Sequence, residues 1–285
     1  MPDEPLTDDT SADPIIDAQA VITGPTVTDL PDGYSYGVTR YADLILRDAL
    51  PDAWDALVKT LTDFHIELQE LQTGGGGRTR HVTRFDATLN THGWAKKNIR
   101  IAKTIDGQQV YEVRGHEIDM FTLGPDGTYP GAAVEMEWNN KDPFFDRDLI
   151  NYQALHREGV LAAGVIVTRG DRLQALLKDA ILGKDGSRIV SKYGESTTHW
   201  RKLLPRVALG GGGECPLLLI GIEPERINDL RRLEEVAEFV RDAREFLDQK
   251  QYQAVGMTRA EAQQRLRNVQ EAAIQAIPPL PRERD

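Results

Sequence analysis

Between Ala132 and Thr168 the chain runs through an apolar strand, an amphipathic helix and a second apolar strand in 37 residues, and this stretch restricts the fold more than any other. Ala132–Trp138 reads as a strand. Asp142-Pro143 then opens a helix, with Asp as N-cap and Pro in the first turn. The helix runs through Leu149, Ile150, Tyr152 and Leu155 and stops near Gly159. Val160–Thr168 is apolar and β-branched, the pattern of a strand buried on both faces. Two strands joined by a helix are parallel, because a parallel pair needs a crossover, and that crossover is right-handed. The unit therefore predicts an α/β fold, a mixed sheet flanked by helices.

The remaining segments extend this scheme. Trp54, Leu57, Val58, Leu61, Phe64, Leu68 and Leu71 recur every three or four residues and predict one amphipathic helix from Pro51 to Leu71, ended by Gly74–Gly77. A short polar helix is expected near Phe85–Trp94. Strands are expected at Ile99–Ala102 and Val110–Val113, split by the turn Asp106-Gly107, and at Ile118–Leu123 before the turn Pro125-Asp126-Gly127. Leu173–Leu182 reads as a helix, and Leu217–Ile222, after Gly210–Gly213, as a buried strand. From Asn228 the pattern becomes purely helical. Leu230, Leu233, Ala237, Val240 and Leu247 mark one helix, and Thr258-x-x-Glu261 is a capping box that opens a second. Three parts result: a tail over 1–32 expected to be disordered (its patch Pro14–Val27 apolar enough to dock), a body over 33–225, and a helical hairpin over 226–285.

Charge separates along the same lines. Residues 1–33 hold eight acids and no Lys or Arg, so the formal net charge of −11 falls to −3 without them. Residues 71–114 carry eight bases against three acids. A locally basic segment in a near-neutral body is compatible with a polyanion partner and equally with a solvated basic face. One cysteine, Cys215, excludes an internal disulfide framework and a cysteine-rich zinc site. The longest apolar run, Pro216 to Ile222, is too short to cross a bilayer, and the N-terminus lacks the pattern of a signal peptide. The expectation is a soluble, cytoplasmic protein with no membrane association.

The segment Val134-Glu135-Met136-Glu137-Trp138-Asn139-Asn140-Lys141-Asp142 carries the chemistry. In a strand, residues two apart share a face, so Glu135 and Glu137 project together. Buried side by side, two carboxylates repel, and a hard divalent cation is their natural compensation. A solvated strand face would tolerate them equally well. Asp119 lies sixteen residues before Glu135, in the preceding strand, and lies beside it if the two strands pair as a hairpin.

Three stretches together carry a resemblance: Glu-Met-Glu-Trp-Asn-Asn-Lys-Asp-Pro-Phe-Phe-Asp-Arg-Asp-Leu at 135–149, Gly164-Val165-Ile166-Val167-Thr168-Arg169, and Thr197-Thr198-His199-Trp200-Arg201-Lys202-Leu203-Leu204-Pro205-Arg206. Over about residues 35–224 the chain resembles the BglII-like, BamHI-related type II restriction endonucleases. The resemblance implies a PD-(D/E)xK nuclease-type fold and a homodimer. It implies Mg²⁺-dependent hydrolysis of double-stranded DNA at a short palindromic site, within a restriction-modification system. It implies Asp119 as the first acid and Glu135 as the second. Glu137 stands where most of that superfamily has Lys, which leaves the general base open and Lys141 as a partial substitute for the missing charge.

Some relatives add an acid from an N-terminal helix. At about 100° per residue, Glu67 lies roughly 100° from the centre of the apolar face and Glu70 roughly 160°. Glu67 is thus a possible additional ligand, or simply a surface residue, and Glu70 should face solvent. Asn139, Asn140, Lys141 and Arg147 are candidate DNA contacts, Asn suiting adenine and Arg guanine. Thr197, Thr198, His199, Arg201 and Lys202 form a polar, basic loop suited to phosphate contacts. Gly74–Gly77 with Arg78 could approach a phosphate, but lacks the Gly-Lys-Ser/Thr ending of a nucleotide-binding loop, so no nucleotide cofactor is expected. A non-catalytic DNA-binding relative remains the alternative that Glu137 leaves open, and a partner-binding α/β protein with an incidental acid cluster is the third.

Overall fold

The computed structural model describes residues 21–72, 78–180, 193–228 and 230–275. Among these, a six-stranded mixed sheet runs in the order β1-β6-β5-β4-β3-β2. The strands are β1 (Tyr34–Thr39), β2 (Ala95–Ile105), β3 (Gln108–Thr122), β4 (Gly131–Glu137), β5 (Leu161–Arg169) and β6 (Leu217–Ile222). The helices are α1 (Ala42–Leu44), which runs on into a wider turn over Ile45–Ala49, then α2 (Pro51–Asp63), α3 (Leu68–Gln72), α4 (Arg80–Thr91), α5 (Phe144–Arg157), α6 (Asp171–Ala180), α7 (Trp200–Ala208), α8 (Leu230–Asp248) and α9 (Arg259–Gln275).

The β4–α5–β5 unit forms as its sequence dictates. Glu135 pairs with Ile166 and Glu137 with Thr168 in parallel register, and β6 continues the parallel set. β3 meets β4 antiparallel through Met120–Val134, Phe121–Ala133 and Thr122–Ala132. The segments expected as two strands at Val110–Val113 and Ile118–Leu123 are one continuous strand, paired along its length with β2. Burial on both faces gives two cores. Val134, Met136, Val165, Val167, Leu218 and Ile220 pack against α2, α3, α4 and α6, while Ala133, Ile166, Leu217 and Leu219 pack against α5 and α7. α5 approaches closely because Gly164 has no side chain: a Cβ there would collide with the ring of Tyr152, whose hydroxyl donates to Val165 O at 2.8 Å.

Two expectations about helix ends are corrected. Asp142 makes no capping hydrogen bond; Pro143 occupies the N-cap, and the Asp142 carboxylate pairs with Arg206 at 3.4 Å. The helix expected from Pro51 to Leu71 breaks after Asp63. Arg226 donates to the carbonyls of Leu61, Thr62 and Phe64, and Ile66 forms a parallel bridge with Ile227. The helical phase restarts at Leu68, which turns Glu70 inward to 4% exposure instead of toward solvent. There it pairs with Arg84, and His81 stands beside it.

Of the acidic tail, residues 1–20 lie outside the described residues. Residues 21–32 run along the body. Thr23 bridges to Val38, the backbone N–H groups of Thr26 and Val27 donate to Asp43, and Trp54 Nε1 donates to Asp29 at 2.7 Å. At the other end, α8 packs on α6, and α9 packs on α8. The Thr258–Glu261 capping box closes as written, with the Thr258 N–H donating to Glu261 at 2.7 Å.

Candidate active site

β4 carries Val134 and Met136 toward the first core, with Trp138 following just past its end, so strand alternation sends Glu135 and Glu137 to the opposite face, beneath α5. Both are only 2% exposed. The face they enter is not solvated. A third acid meets them from the helix: ligand atoms of Glu135, Glu137 and Asp148 lie within 4.8 Å of one another. Asp148 sits on the buried stripe Phe145, Asp148, Leu149, Tyr152, Leu155 of α5 and is 1% exposed.

Asp119 is adjacent but arranged differently. Its backbone N–H donates to Glu135 Oε1 at 3.2 Å, which places the two residues side by side as the hairpin requires. Its carboxylate is outside the three-acid cluster and accepts instead from Arg78 at 3.1 Å. Arg78 also pairs with Asp86 at 2.5 Å. Burial lifts the Asp86 carboxyl to about 6, with Arg78 opposing and Asp119 reinforcing the rise.

The cluster is electrostatically unfavourable alone. Burial, and then the negative charges of Asp148 and Asp119, push Glu135 up to about 9. Burial followed by the proximity of Asp148 raises Glu137, and burial also raises Asp148 despite Arg147. Asp148 Oδ2 is buried and receives no hydrogen bond. An orphaned carboxylate oxygen among three converging carboxylates is the donor set that a hard divalent cation prefers, so these residues fit such an ion. Compensation from the chain is partial: Asn140 Nδ2 donates to Glu137 Oε2 at 2.6 Å, and Arg147 Nη2 reaches Glu137 Oε1 at 3.4 Å.

The two polar segments expected to meet DNA are tied together at one edge of this cluster. Lys141 bridges to Thr197, the Thr198 N–H donates to Asn140 O at 2.9 Å, and the Asp142 N–H donates to Ser196 O at 3.1 Å. Fully buried Arg169 anchors the second segment by donating to Thr198 O and Thr197 Oγ1. Thr197, Thr198 and His199 are themselves buried, serving the loop's own fold. Burial, then Arg169 and nearby lysines, lowers His199 to about 4, so its ring is neutral at physiological pH and its 3.7 Å approach to Glu195 is not an ion pair. Asn140, Lys141, Arg147 and Arg201 are exposed, and Lys202 is half-buried. Arg201 and Lys202, expected in that loop, lie in the first turn of α7. Glu67 lies apart, bonded to Asn228 at 2.7 Å. Gly74–Gly77 lie outside the described residues.

Strand alternation, which pairs Glu135 with Glu137, does not reach Asp148, because it lies on a helix. Its signal is a carboxylate in the middle of the apolar stripe of α5, three residues after Phe145 and four before Tyr152. Such a residue is almost never buried unpaired without a purpose.

A mixed sheet that delivers buried carboxylates to one point beneath a helix, next to an exposed polar edge, fits the α/β fold of the restriction endonucleases. The family model for restriction endonuclease BglII/BglIII matches residues 34–222. The chain belongs to that family. Comparison with curated proteins finds no match. Among the described residues no helix is long and apolar enough to cross a membrane.

Proposed function

We propose that this protein is a Mg²⁺-dependent type II restriction endonuclease that cuts double-stranded DNA at a short palindromic site as a homodimer. The observation that carries the reading is the buried carboxylate cluster in a chain of this family. Glu135, Glu137 and Asp148 would hold the ion, with Asp119 beside them as the fourth acid. When bound there, the ion would supply charge neutralisation at the scissile phosphate and would acidify a water for attack.

The chain's own groups do the rest. Glu137 occupies the position of the usual lysine. Its carboxylate, held with Oε2 fixed by Asn140 and Oε1 facing Arg147, would accept the attacking water's proton. Glu135 is steadied by the Asp119 N–H. Asn139, Asn140, Lys141, Arg147, Arg201 and Lys202 line the edge that would face the duplex, where the Asn side chains have the donor geometry to read bases and the arginines and lysines the charge to meet phosphates. A palindromic target is met by a two-fold symmetric protein, hence the dimer.

Incubation of plasmid DNA with Mg²⁺ tests the reading. Discrete fragments with uniform ends are expected. Asp119→Ala and Glu135→Ala should abolish cleavage and leave metal-free DNA binding largely intact. DNA that is retarded but uncut by the wild type would instead favour the non-catalytic DNA-binding relative.

A further inference from the structure

Resting on the metal-site reading above, we propose that Arg147 is the resident counter-ion of the carboxylate cluster, which takes up a divalent cation as this guanidinium leaves for a DNA phosphate. Arg147 opens toward the outside while its head group sits on the ligand atoms. Its Nη2 lies 2.7 Å from Asp148 Oδ1 and 3.4 Å from Glu137 Oε1, and its Nε donates to the same Asp148 oxygen at 2.8 Å. Two of the three clustered acids are thereby engaged by one cation, and that cation's side chain is 54% exposed against 1–3% for the acids. The guanidinium therefore covers the cluster from the solvent side. On its outer flank it rests on the ring of Phe144, 4.7 Å from the centroid.

A divalent ion and this guanidinium compete for the same oxygens. The incoming charge is repelled by the resident one, so the ion's affinity depends on where Arg147 goes. Phosphate is the natural destination, because the planar fork of an Arg pairs with it bidentately. The position also favours the exchange: Arg147 lies in the first turn of α5, directly after the Asn139–Lys141 edge. Loading of the ion and engagement of DNA thus become reciprocal, each raising the affinity for the other. A restriction enzyme gains from this, since its cluster stays neutralised by its own chain until a duplex is present.

The test is calorimetric titration of the DNA-free protein with Ca²⁺, for wild type, Arg147→Gln and Arg147→Lys. Removing one unit charge a few ångström from the ion should tighten Ca²⁺ binding by Arg147→Gln by about tenfold, whereas Arg147→Lys, which keeps the charge, should stay near wild type. A mere packing role for the side chain would make the two variants behave alike. If Arg147→Gln folds only when Ca²⁺ is added, while the wild type folds without it, the counter-ion role is equally supported. Ca²⁺ affinity of a folded Arg147→Gln equal to wild type, or its failure to fold with or without Ca²⁺, overturns the proposal. Absence of Ca²⁺ binding by all three proteins, with or without a DNA duplex, sinks the metal-site reading itself.

Discussion

Glu135 shows how one residue's burial becomes a pH dependence. Its carboxyl rises from an ordinary 4.5 to about 9 in the fold. A raised acid contributes stability fully below pH 4.5 and loses it as pH climbs through 9, because the folded state must then hold a buried charge. Thermal melts of ion-free protein should therefore show Tm falling from pH 5 to pH 9. Glu135→Gln should flatten that decline, and Mg²⁺ should restore the wild type most at the alkaline end. A wild-type Tm that is flat or rising across this range would contradict the burial argument. Asp148 makes a second prediction. Asp148→Asn keeps the shape but removes a charge, and should weaken ion binding by at least the roughly 10–100-fold that even an outer partner of a metal ligand is worth. Titration with Mn²⁺ checks it, and unchanged affinity would remove Asp148 from the site. The glutamate pair was legible from strand alternation alone. Asp148 was not, because whether a helix faces a strand's acids is decided by packing.

At the level of elements, the site depends on how near α5 lies to the sheet. Gly164 permits that approach under the Tyr152 ring. Gly164→Ala should overpack the contact, cost about 1–3 kcal/mol and push α5 outward. For a domain of this size each kcal/mol lowers Tm by about 2–4 °C. Cleavage should fall further than stability explains, since Asp148 rides on the same helix. Melting curves and digests at a temperature where the variant is folded separate the two effects. The α2–α3 break teaches the limit of periodicity. Seven apolar residues kept helical spacing across it, yet Arg226, 162 residues distant from Phe64 in sequence, caps the first helix and ends it. The phase restarts beyond the break, so Glu70 faces inward and not to the solvent side that unbroken spacing predicts. A helix is readable from local spacing; its interruption by a remote cap is not.

For the whole molecule, Lys141, Arg147, Arg201 and Lys202 belong to the two polar segments joined beside the cluster. If Lys141, Arg147, Arg201 and Lys202 of two subunits meet phosphates, DNA affinity should fall by about 10³–10⁵ between 50 and 200 mM salt. Filter binding in Ca²⁺ measures it, and sedimentation of the DNA complex should give two chains per duplex. A shallow salt slope would place the interface elsewhere. Local pattern is enough for the β4–α5–β5 crossover, for Glu135 and Glu137 sharing one face and for the capping box at Thr258, because each follows from backbone periodicity or contacts three to four residues apart. Which acid joins that pair, the turn of the Asp119 carboxylate to Arg78 and the burial of Glu70 are set by packing. Those outcomes depend on the approach of segments distant in the chain, where burial and competing charges, not spacing, set the lowest free energy.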